Sequence, residues 1–204
     1  MRSVPALGGT VNQWDLAYGT PATAVITSSA TARCAGRTTG RGIFPASSFK
    51  QFISEDDVDA AYGRHLKPGV TNWAPKVIGV EPAWEGDDEL VIGILQGLSF
   101  RVLRTIPKND NDLTIGNMVA RLQDAKNADA VFIDAGYGTG IYSFGKTMGR
   151  DWRLVWFGSG AADKSCLNKR AEMWRDVRDW LKAGGAIPDD PILRQELLAP
   201  ETVA

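Results

Sequence analysis

Histidine occurs once, at His65, and cysteine twice, at Cys34 and Cys166, in no spacing that a metal site uses. One imidazole and two separated thiols cannot assemble a zinc set, and the thiols, with no base beside them in sequence, read as free cysteines of a reducing, cytoplasmic setting. No apolar run approaches the roughly 18 residues that suggest a membrane span. Met1 and Arg2 lead into Ser-Val-Pro-Ala-Leu-Gly-Gly, which is not the apolar core of a secretory signal. A charge excess is missing too: 23 Lys and Arg nearly cancel 24 Asp and Glu, for a net charge of −1. No global field draws the chain to nucleic acid, which leaves only local basic patches for that role. What is present is 204 residues, 44% hydrophobic and 23% charged, enough for one domain and an appendage.

Residues 1–40 carry one acid, Asp15, three arginines and many Gly, Ala, Ser and Thr, and read as an irregular or poorly ordered arm. Residues 41–73 read as a helical lead-in and linker, with a helix in 51–63 capped by Ser54 and stopped at Gly63. The domain proper is expected over 74–204. Strands are predicted at 76–81, 89–95 and 99–106, joined as an antiparallel meander. Ile115, Met118, Val119 and Leu122 recur at i, i+3, i+4 and i+7, which predicts an amphipathic helix over 112–126 capped by Asn111 or Asp112. A fourth strand at 130–134 then returns parallel to the first, and a mixed α/β sheet with flanking helices follows. A helix around 141–148, a strand at 153–157 and a helix near 166–183 complete the pattern. In the last helix Leu167, Ala171, Trp174, Val177 and Leu181 share one face, and Gly184, Gly185 and Pro188 end it.

Two of these strands share a peculiarity. Lys76-Val-Ile-Gly-Val runs into Glu81, and Ala130-Val-Phe-Ile runs into Asp134; Pro or Gly follows each acid within two residues. A carboxylate at the rim of an apolar sheet is costly alone, so either a shared cation or separate basic partners must account for the pair. Hard divalent cations take oxygen ligands, and two ions about 4 Å apart activate water against a phosphodiester. Glu81 and Asp134 would be the shared ligands, and Asp88, in the turn after the first strand, would add a ligand or orient a water.

The runs RGIFPASSFKQFIS, VIGVEPAWEGDDELVI, VFIDAGYGTGIYSF and LNKRAEMWRDVRDWLKAGGAIPDDPILRQELL, in that order over about residues 41–198, resemble the nuclease domain of bacteriophage terminase large subunits. The resemblance implies an RNase H-like fold and magnesium- or manganese-dependent cleavage of double-stranded viral DNA in a host bacterial cell. The portal and the small terminase subunit would be partners. By the same resemblance Glu81 and Asp134 match the first two catalytic acids and Asp88 a recurrent acid in the following turn. Three departures accompany it. The first family position is usually Asp, and Glu81 is one methylene longer. The third family acid lies downstream of the final leucine-rich stretch, where this chain ends. The ATPase domain has no counterpart in residues 1–40. The reading therefore covers an active nuclease fragment and a prophage remnant disabled at its site.

An alternative rests on Gly140-Ile-Tyr-Ser-Phe-Gly145-Lys146-Thr147, which satisfies the G-x-x-x-x-G-K-[ST] phosphate-loop pattern after a strand. Gly145, Lys146 and Thr147 would then contact phosphate and metal, although Ile, Tyr and Phe fill positions where a nest needs small residues. Arg101, Arg104 and Lys108, or Lys164, Lys169, Arg170 and Arg175, are candidate phosphate contacts, against the reading of a solvated face. Of the seven tryptophans, Trp152, Trp156, Trp174 and Trp180 either stack bases or pack the core and its rim.

Overall fold

The computed structural model describes residues 51–83, 89–107 and 111–201. The arm at 1–40, Cys34, Lys108 and Asp88 lie outside them.

Five strands form one sheet in the order β3-β2-β1-β4-β5. β1 (Lys76–Glu81), β2 (Glu89–Gln96) and β3 (Ser99–Pro107) make the expected antiparallel meander, β4 (Ala130–Asp134) pairs parallel to β1, and β5 (Arg153–Val155) pairs parallel to β4. The crossover into β4 runs through α2 (Asp112–Lys126). Its N-cap is Asn111, whose side chain accepts from the Thr114 N–H at 3.0 Å, and it ends at Asn127 in the left-handed conformation, with φ 49°. Parallel neighbours need such a crossover, and a helix returning over the sheet is the ordinary solution.

Side chains alternate along each strand, so the sheet has two apolar faces and both are covered. Ile78, Val80, Val131 and Ile133 pack with Ile115 and Val119 of α2 and with Ile141 of α3 (Thr139–Thr147). Val77, Ala130, Phe132 and Val155 pack on the opposite face beneath three helices: α1 (Glu55–Ala61), α4 (Lys169–Lys182) and α5 (Pro191–Leu197). Ser54 caps α1 as its position relative to Asp57 predicts, accepting from the Asp57 N–H at 3.2 Å.

The structure departs from the sequence pattern at three places. β5 ends at Val155 rather than 157, because only β4 pairs with it and Trp156 turns out into the next loop. α4 begins at Lys169, after the Asn168 cap, so Leu167 is not on its apolar face and is 91% exposed. α5 is an additional helix. Its signal was legible in Asp190-Pro191, an N-cap followed by proline at the first helical position, and the Asp190 side chain accepts from the Ile192 and Leu193 N–H groups.

Phe132 is fully buried in β4, between β1 and β5, under α4. Phe132→Ala is expected to cost about 3–5 kcal/mol in urea unfolding, and Asp190→Ala about 1 kcal/mol by exposing the start of α5. Equal small losses for both would contradict the packing described.

Candidate metal centre

β1 and β4 pair in parallel from Val77 opposite Ala130 to Val80 opposite Ile133. The next residue on each strand is an acid, Glu81 and Asp134. Their Cα atoms are therefore about 5 Å apart, the spacing of neighbouring strands. Two-residue alternation places Glu81 with Val77, and Asp134 with Ala130 and Phe132, on the face beneath α4. Pro82 follows Glu81 and Ala135 follows Asp134, so both acids stand at the same rim of the sheet.

Asp134 is buried, with the residue 8% exposed. Burial pushes its carboxyl above the usual range, and the backbone N–H groups of Gly136 and Ala135 and the charge of Arg170 offset this only in part. The Gly136 N–H donates to Asp134 Oδ2 at 3.2 Å. A Cβ on Gly136 would lie 2.8 Å from that same oxygen, so this turn admits no larger residue without moving the carboxylate.

The loop that links β5 to α4 closes this rim, and a second buried acid holds it. Glu172 of α4 accepts from the Asp163 N–H at 2.8 Å, the Ala162 N–H at 3.3 Å and Lys169 Nζ at 2.6 Å. Burial opposes its ionised form, but Lys169 and the two N–H groups outweigh that and hold its carboxyl below the ordinary range. Asp163 is held at about 2 by the Ser165 N–H and hydroxyl and by Arg175, whose Nη1 lies 2.6 Å away. Of the four basic residues proposed around this helix, Lys169 and Arg175 are therefore committed to internal pairs. Lys164 and Arg170 are exposed. The Lys169–Glu172 pair is an i,i+3 spacing visible in the sequence, whereas the hold of Glu172 on the loop was not, because there it bonds backbone N–H groups.

The other candidates separate clearly. Gly140–Thr147 lies within α3 rather than in a loop, and Lys146 sits in the last turn over the Tyr142 ring, 5.4 Å from its centroid. Its glycines have packing reasons, since a Cβ on Gly145 would collide with the Trp152 ring. Trp152 is buried and donates to Gln123 Oε1 at 2.8 Å, Trp180 donates to the Gly97 carbonyl at 2.9 Å, and Trp156 is 58% exposed. His65 is exposed.

The donor set suits a hard divalent cation: two carboxylates from adjacent strand ends, one of them buried where a positive charge would offset its desolvation. Among the described residues no group of three or more His, Cys, Asp or Glu that could hold a metal ion comes together.

The meander followed by parallel strands, with helices on both faces, is the RNase H-like fold. More particularly, it is the fold of phage large terminase nuclease domains. The chain is similar to the nuclease domain of the large terminase subunit gp2 of bacterial virus Sf6, with TM-score 0.50, 18% identity, and coverage of 72% of this chain and 80% of that one. A point mutant of the Sf6 domain, solved with calcium, gives TM-score 0.52 and 19% identity over 72% of this chain and 79% of that one. The large terminase nuclease from thermophilic phage G20c gives 0.51 and 14%, over 71% of this chain and 78% of that one. A further Sf6 structure carries manganese and beta-thujaplicinol. No family model and no curated protein matches the chain. At these identities the likeness is one of fold.

The sign of the Asp134 shift sets a pH dependence. A carboxyl raised in the folded state contributes stability that is complete below its unfolded value near 3.8 and is lost as pH rises through the folded value. With divalent ions chelated, Asp134→Asn should therefore gain stability over the parent between pH 4 and pH 7 in urea unfolding. A difference independent of pH would contradict the burial cost.

Proposed function

We propose that this chain is the metal-dependent endonuclease domain of a phage or prophage terminase large subunit, cutting double-stranded DNA during genome packaging. One observation carries the reading: Glu81 and Asp134 follow paired positions at the ends of adjacent parallel strands, in a fold shared with terminase nucleases. Residues 74–204 are the nuclease domain in this account, with 41–73 as its lead-in and 1–40 as an arm.

Glu81 and Asp134 would hold the cation, with Asp88 as an added ligand or water-orienting group. Magnesium or manganese bound there would supply Lewis-acid polarisation of the scissile phosphodiester and a water of lowered pKa. The protein's own part is positional. The Gly136 N–H fixes the Asp134 carboxylate, the apolar faces under α2 and α4 hold the two strand ends in register, and exposed Lys164 and Arg170 meet backbone phosphates. No protein nucleophile is required, since water attacks phosphorus. Portal and small terminase subunit are the partners this role entails, and the cytoplasm of the host bacterium is where it would act.

Plasmid nicking by the purified chain with manganese is the test. The parent should cut, Asp134→Ala should lower the rate at least 100-fold, on the order expected for loss of a metal-holding acid, and Glu81→Asp should retain or raise it. Cutting that survives Asp134→Ala, or silence in both the parent and Glu81→Asp, would refute the assignment.

A further inference from the structure

Two large aromatic side chains stand in solvent on the segments that leave the Asp134 end of the sheet, Tyr137 at 49% exposure and Trp156 at 58%, and Leu167, in the loop before α4, is 91% exposed. Tyr137 lies three residues beyond Asp134. Trp156 follows Val155, which pairs directly with Asp134, and the Ala135 N–H donates to the Val155 carbonyl at 3.0 Å, so the strands remain paired up to this point. Strand spacing and rise then put the Trp156 and Asp134 Cα atoms about 6 Å apart.

This rim is held in shape. The Trp156 carbonyl accepts from both the N–H and the hydroxyl of Ser159, the Arg170 N–H donates to the Phe157 carbonyl, and Glu172 fastens Ala162 and Asp163 from below. Its outward charge is also sorted. Asp163 and Glu172 are occupied by Arg175 and Lys169, whereas Lys164 and Arg170 make no ion pair among the described residues. The Arg170 guanidinium lies over the Phe157 ring, 5.5 Å from its centroid, and its charge reaches Asp134. An exposed indole at the end of β5 and an exposed phenol in the turn after β4, with cations on the following loop (Lys164) and at the start of α4 (Arg170), are what a nucleic-acid strand with accessible base faces requires: aromatic platforms for the bases and positive charge for the phosphates. A duplex interior offers its base edges instead.

We propose that the rim formed by Tyr137, Trp156, Lys164 and Arg170 holds an unpaired stretch of DNA strand, by base stacking and phosphate contact, beside Glu81 and Asp134. The inference rests on the nuclease reading and narrows its substrate: the strand reaching the acids is locally unpaired, as at a frayed end or a melted cut site.

Binding is measured in chelator, where cleavage plays no part. Labelled oligo(dT) should bind the full chain and quench its tryptophan fluorescence. Trp156→Ala should weaken that binding about tenfold, within the range for loss of one stacked base, with Trp156→Phe restoring most of it. Lys164→Ala with Arg170→Ala should flatten the salt dependence. Unchanged oligo(dT) affinity in Trp156→Ala, or binding to blunt duplex alone, would overturn the proposal. So would an oligomer that Trp156→Ala and Leu167→Ser dissociate without changing DNA affinity, since the rim would then be a protein contact. The nuclease reading fails separately: oligo(dT) binding through Trp156 with no manganese-dependent cutting of any DNA would remove the reaction and keep the rim.

Discussion

The constraint on which this structure turns is the burial of one carboxylate, Asp134, at the end of a strand that is otherwise wholly apolar. Ala130 to Ile133 are buried by helices on both faces, and the chain then places an acid where water scarcely reaches. Such a group is raised in pKa and destabilises its own ionised form. The turn after it is built around that cost. Gly136 is the residue that lets a backbone N–H approach the carboxylate and leaves no side chain in its way. Two N–H groups and the distant Arg170 do not neutralise the charge, whereas a cation shared with Glu81 would.

The parallel pairing of β1 and β4 makes that sharing geometric. In-register strands that end together place Glu81 and Asp134 side by side without any loop having to position them. Sites on strands are held more closely than sites on loops, because packing on both faces fixes the backbone. Glu81 differs in being half-buried and longer, which lets its carboxylate adjust where that of Asp134 cannot. The loop from β5 to α4 contributes in another way: Glu172 and Arg175 absorb the charges that would otherwise wander, and what remains outward is basic and aromatic.

Much of this was legible in the sequence. β1, α2 and β4 fall at the residues that apolar runs and helical periodicity predict, because each lies in the centre of the fold where local pattern and tertiary burial agree. Agreement fails at the margins. Leu154, Val155, Trp156 and Phe157 look like a continuing strand, but with a single neighbouring strand no ladder holds Trp156, and it turns out. Leu167 fits a helical stripe by spacing, yet Asn168 caps the helix one residue later. The phosphate-loop spacing falls within a helix for a similar reason: Gly145 answers to close packing against Trp152 and Gly140 to the nearby Asp112 side chain, and spacing alone cannot distinguish that from a nest. The pairing of Glu81 with Asp134 was visible as two similar strand ends; their adjacency required the topology.

Divalent-ion binding tests the central claim most directly, without reference to any substrate. Calorimetric titration of the purified chain with manganese should show binding that weakens at least tenfold in either Asp134→Ala or Glu81→Ala, with little further loss in the double variant because the two acids serve one ion. Binding that each single variant leaves intact, or losses that simply add, would mean that the acids do not share a cation and that Asp134 is buried for another reason.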